Sequence, residues 1–134
     1  MHAPEFRCLY IQKSEVIYAW GMDYLSWAFA KVESSHDPYA VNPISGARGL
    51  LQIMQPTIDE ANRLAAMYGI RKKYTLDDAW SPEISVEIWQ LLNRHHNPQY
   101  ELDEACRLWF GNGTQYDGMT WREYMGKIKT YLNE

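Results

Sequence analysis

The chain predicts a mainly α-helical domain with one small irregular or β-like insert. Three observations lead there: apolar residues recur at helical spacings in several stretches, cap signals open most of those stretches, and turn residues crowd into residues 34–48. At 134 residues the chain suits one domain, 1–134, with a sizeable core, because 46% of it is hydrophobic.

The first helix is expected from about Ser14, as N-cap, to Val32. Ile17, Trp20, Tyr24, Leu25, Ala28, Phe29 and Val32 fall on one broad apolar face, with Gly21 as a weak point inside the run. Glu33 then stands at the C-terminal end of a buried helix. Residues 34–48 hold Asp37-Pro38, Asn42-Pro43 and Ser45-Gly46, which forbid continuous helix, so any small sheet or hairpin belongs there. Leu50 to Met54 is apolar with Gln52 isolated in it. Thr57 and Glu60 read as a capping box for a helix running to Gly69. Ser81-Pro82-Glu83 reads as N-cap, N1 proline and acidic first turn, with Ile84, Ile88, Leu91 and Leu92 on one face. A further helix is expected from Asp103 to Phe110, stopped by Gly111-Asn112-Gly113. The last opens on the capping box Thr120–Glu123, with Tyr124, Ile128 and Tyr131 on one side.

A net charge of −4 does not suggest a nucleic-acid or anionic-membrane partner. No stretch approaches membrane-spanning length, and Met1 to Lys13 lacks the positive region and apolar run of a secretory signal. Cys8 and Cys106 form no metal-type pair; they either bridge or are two buried thiols, and so few cysteines favour the thiols. His2, His36, His95 and His96 lack the company of a zinc site, and no cofactor is expected.

The chemistry gathers around Glu33. A carboxyl against apolar walls at a helix C-terminus resists ionising, and a neutral carboxyl is a general acid. The glycines of Gly46-Ala47-Arg48-Gly49 let backbone approach a ligand closely, and Gln52 is a polar probe among apolar neighbours. The segment Glu33-Ser34-Ser35-His36-Asp37-Pro38-Tyr39-Ala40-Val41, running into Gly46-Ala47-Arg48-Gly49-Leu50-Leu51-Gln52-Ile53-Met54, resembles the signature of the soluble lytic transglycosylase (SLT) family. Ser81-Pro82-Glu83-Ile84-Ser85-Val86 is similar to a third family block.

The resemblance implies a lysozyme-like α+β fold that cuts the glycan strands of bacterial peptidoglycan, with Glu33 catalytic. It also implies Ser34, Ser45, Gln52, Met54 and Tyr124 as substrate-binding residues, without a metal. Tyr124 would be the late tyrosine that closes over the site, or else a core tyrosine. Gln52 would hold an N-acetyl sugar, or else satisfy local backbone. The chain departs from the family at Asn42, where serine is usual, in a spacing one residue longer before Gly46, and in Gln55, inserted before the proline. Leu108-Trp109-Phe110-Gly111-Asn112-Gly113 resembles the family's Ala-Tyr-Asn-Ala-Gly only loosely, which leaves Trp109, Phe110 and Asn112 without an assigned role. His36 matches a position usually apolar and reads as a loop residue. Most of the tryptophans and tyrosines read as core.

Ordinary glycosidases use two carboxylates, whereas one suffices if the substrate's N-acetyl group is the nucleophile. No second acid sits in a recognisable motif here, and Asp37 lies in an Asp-Pro turn that points it locally. The expected reaction is therefore cleavage of the MurNAc-GlcNAc β-1,4 bond with closure of a 1,6-anhydro ring. A goose-type muramidase on the same fold, with Asp37 or Asp78 holding water, is the nearest rival; a non-catalytic wall-binding or structural component is the other. The expected partner is peptidoglycan glycan, met by a monomer in the periplasm or cell wall. With no secretory signal in Met1 to Lys13, delivery would be by processing, by a phage particle or through a holin-type pore.

Overall fold

A computed structural model of the chain describes residues 20–110 and 119–133. Its helices follow in order: α1 (Tyr24–Ser34), α2 (Gln55–Met67), a 3-10 helix (Leu76–Trp80), α3 (Pro82–His96), α4 (Leu102–Phe110) and α5 (Trp121–Leu132). The expected mainly α-helical architecture is what folds. Helix α1 packs against α5, α2 against α3, and α4 against both α3 and α5. One contiguous core joins them, built on Phe29, Leu50, Ile53, Ile58, Leu64, Ile88, Trp89, Tyr124 and Ile128, each at most 1% exposed.

The first helix differs from its expected bounds of Ser14 to Val32. Trp20 is helical, but Gly21 turns at φ 72° and α1 starts afresh at Tyr24. The restart is driven by Asp23, whose carboxylate caps the amide of Ser26 while the Ser26 hydroxyl caps Asp23 in return. This new start turns Tyr24 outward, 60% exposed, instead of onto the apolar face, whereas Ala28 and Phe29 are fully buried. Ser14 and Ile17 lie outside the described residues.

Helix α2 also begins earlier than the Thr57–Glu60 capping box implies. Its N-cap is Met54, whose carbonyl takes the amides of Thr57 and Ile58. Pro56 sits in the first turn, where a missing N–H costs nothing. Its C-terminus behaves as expected: Gly69, at φ 71°, donates to Ala66 and Ile70 donates to Ala65, the pair of bonds of a Schellman motif. Ser81 caps α3 with Pro82 and Glu83 in its first turn, and the Thr120–Glu123 box opens α5, both as the sequence implies. The Gly111-Asn112-Gly113 stop after α4 lies outside the described residues.

Between α1 and α2 the chain makes two isolated antiparallel bridges, Val41 to Arg48 and Arg48 to Ile53. These are the β-like insert. Asn42 shapes its tip, accepting from the amides of Ile44 and Ser45 through its side chain and pairing its backbone with Gly46 and Ala47. The residue that replaces the family's serine therefore closes the longer loop. Gly49 sits at φ 81°, where a Cβ would lie 1.9 Å from the Ala79 carbonyl oxygen. No side chain fits there, so the strip lies directly on the backbone of the 3-10 helix.

Candidate active site

Glu33 is the penultimate residue of α1, half-buried, in the turn that faces α5. The Tyr124 hydroxyl donates to its Oε2 at 2.5 Å across 91 positions of chain. Tyr124 is wholly buried, and its ring lies 4.8 Å from Phe110 and 5.8 Å from Phe29. Phe29 in turn meets Trp89 at 4.6 Å, and Trp89 meets Trp109 at 4.9 Å. The Tyr124 ring thus belongs to an aromatic stack in the core, while its hydroxyl addresses the Glu33 carboxyl.

The chain leaves α1 through an unusual turn. Ser35 and His36 are both left-handed, at φ 54° and 63°, and neither is glycine. Ser34 Oγ donates to the Leu50 carbonyl at 2.7 Å and approaches that of Ala30 at 3.1 Å, and it accepts from the Asp37 amide. Its hydroxyl therefore ties the helix end to the glycine-rich strip. Gln52, itself at φ 53°, spends both amide hydrogens on the carbonyls of Ala40 and Gly49, at 3.1 and 3.0 Å. Its nitrogen braces the loop, which leaves the carbonyl oxygen as the polar atom with which it would meet a ligand. Trp109 Nε1 donates to the Leu51 carbonyl at 2.9 Å, so a residue with no role assigned from sequence fastens the strip from the other side.

The remaining site candidates lie in the insert. Ser45 is exposed and its Oγ accepts from the Ala47 amide; Met54, 37% exposed, stands at the opening of α2. Arg48 lies over the Trp80 ring and within 3.7 Å of Asp77, coupling the strip to the 3-10 helix. His36 is a loop residue, as expected, and Asn112 lies outside the described residues.

Asp37 and Asp78, the acids able in principle to hold a water, both serve local backbone. Asp37 accepts from the Tyr39 amide at 2.9 Å, and Asp78 accepts from the Thr75 amide at 2.8 Å in a box that opens the 3-10 helix. Among the described residues no group of three or more His, Cys, Asp or Glu is arranged to hold a metal, and no helix is long and apolar enough to cross a membrane. Cys106 is a buried free thiol; Cys8 lies outside the described residues.

A family model for the transglycosylase SLT domain matches residues 10–106. The chain belongs to that family. The match takes in Glu33, the glycine-rich strip and the opening of α3, and membership carries a lysozyme-like helical domain with a lytic-transglycosylase type of action on cell-wall peptidoglycan. Helix α5, which supplies Tyr124 to Glu33, lies beyond the residues matched to the SLT domain. No curated protein matches the chain, and no solved structure does. The sequence locates Tyr124 through the capping box ahead of it, but nothing local shows that α5 folds back onto α1.

Proposed function

We propose that the protein is a lytic transglycosylase that cleaves the β-1,4 bond between N-acetylmuramic acid and N-acetylglucosamine, with Glu33 as its only acid and base. The observation that carries this reading is the engagement of Asp37 and Asp78 with local backbone, while Glu33, of these three acids, faces the wholly buried Tyr124 across the core. A mechanism with one protein carboxyl needs its nucleophile from the substrate. Glu33 protonates the glycosidic oxygen, and the leaving sugar departs with that proton. The acetamido oxygen attacks the anomeric carbon. Glu33, now ionised, takes the proton of the C6 hydroxyl, whose oxygen displaces the acetamido group and closes the 1,6-anhydro ring. Water is not consumed, and Glu33 ends in its starting state.

Tyr124 supports this cycle by holding one carboxyl oxygen through both protonation states, since a carboxylate and a carboxylic acid can each accept from its hydroxyl. Ser34 and Gln52 keep the helix end and the strip in register; Ser45, Met54 and the Gln52 oxygen are the groups this reading offers to the sugar. In this reading the whole chain forms a single domain acting at the cell wall.

Mass spectrometry of products released from purified sacculi tests the assignment. Anhydro-muramyl ends are expected. Reducing ends would identify a muramidase instead, and no soluble products would leave a binding component.

A further inference from the structure

The acid stands in the last turn of α1, where carbonyls lack helical partners and fraying is the default. The chain beyond it adopts two consecutive left-handed residues, each costing roughly 1–2 kcal/mol in a non-glycine residue. Such a turn persists only if something outside it holds it. The His36 side chain reaches back nine positions, placing Nε2 2.9 Å from the Trp27 carbonyl and its ring 4.7 Å from the Trp27 indole. A carbonyl cannot donate, so Nε2 carries the hydrogen. Trp27 is only 6% exposed and closes the first turn of α1, nearly two turns before the acid, so it is a fixed anchor. The backbone of the same turn is closed by His36 N to the Ala30 carbonyl, Ser35 N to Lys31 and Asp37 N to Ser34.

We infer that His36 is a positioning residue for Glu33: seated on Trp27 by ring contact and hydrogen bond, it locks the left-handed turn and so stops the last turn of α1 from fraying. The inference rests on the reading of Glu33 as the acid. A single carboxyl that must first give and then take a proton has to keep its place through both steps, and a displacement of about 1 Å costs on the order of a hundredfold in rate. His36 touches neither substrate nor reacting atoms and acts through the helix end alone.

The test uses the full chain with three substitutions. His36→Gly removes ring and donor while accepting the left-handed backbone, His36→Phe restores ring contact, and His36→Gln restores a donor. His36→Gly is expected to lower kcat on sacculi by about tenfold or more, with KM little changed. It is also expected to speed hydrogen exchange at the Ser35 and Asp37 amides while the Tm stays close to wild type. Phe or Gln should recover a substantial part of both. His36→Gly with more than half of wild-type kcat, or with unchanged exchange at these amides, would overturn the inference. So would a lost kcat that tracks a lowered Tm and that neither Phe nor Gln rescues. Should the wild-type protein release no products, the proposed function falls, while the exchange measurement still decides whether His36 locks the turn.

Discussion

In the proposed cycle Glu33 moves the protons and Tyr124 keeps its carboxyl in place. Glu33→Gln keeps the shape and loses the proton, so turnover should fall by several orders of magnitude with glycan binding nearly intact, as kinetics and calorimetric titration would show. Tyr124→Phe leaves the ring in its stack against Phe29 and Phe110 and removes the bond to Oε2. Its kcat should drop between about tenfold and a hundredfold, with a smaller effect on KM. Gln52→Ala strips donors from two loop carbonyls, each bond contributing about 0.5–1.5 kcal/mol. A lowered Tm is expected, and titration well below that Tm would read whatever its oxygen gives to the sugar. Cys106, its thiol pushed up to about 12 by burial, should resist alkylation at neutral pH until the protein unfolds, which peptide mapping by mass spectrometry would reveal.

At the scale of elements, two contacts set how the helices present the site. Gly49→Ala would drive a Cβ into the Ala79 carbonyl at a left-handed φ, and unfolding in denaturant should show a loss of more than about 2 kcal/mol. Thr120→Ala removes the cap of α5 and should cost about 1 kcal/mol, with the slackened helix carrying Tyr124 away from the acid. Elements were most legible where a cap and an apolar face coincide. Ser81-Pro82-Glu83 and Thr120–Glu123 open their helices where the sequence puts them. Legibility failed where local chemistry competes with periodicity: the apolar spacing of Trp20 and Tyr24 runs straight across a break made by Gly21 and Asp23. The Asp23–Ser26 box was hidden because serine, rather than Glu or Gln, answers the cap. The 3-10 helix at Leu76–Trp80 is too short to write a period, and the Ser34, His36 and Trp109 bonds depend on folding that no local pattern encodes.

Surface charge and chain order act across the whole molecule. The Arg63 hydrogen bond, with His96 beside it, holds the Glu60 carboxyl down to about 2, against 4.5 ordinarily. A depressed folded pKa stabilises above the unfolded value, so this contribution is present above pH 4.5 and is lost as pH falls toward about 2. The Tm gap between wild type and Glu60→Gln should close over that window. Activity should survive EDTA, since in the proposed cycle Glu33 and the substrate's acetamide supply all the chemistry; a need for added zinc or calcium would contradict it. The bond between Glu33 and Tyr124 bears on how the protein comes to life. Because it spans 91 positions, it is among the contacts whose loop-closure entropy is greatest, and such contacts form late. A ribosome would release the acid's half of the pair long before its tyrosine, so a nascent chain would carry Glu33 without its partner. In refolding, the gain of hydrolysis-free glycan cleavage should therefore lag behind the recovery of helical signal, and Tyr124→Phe should speed unfolding more than it slows folding.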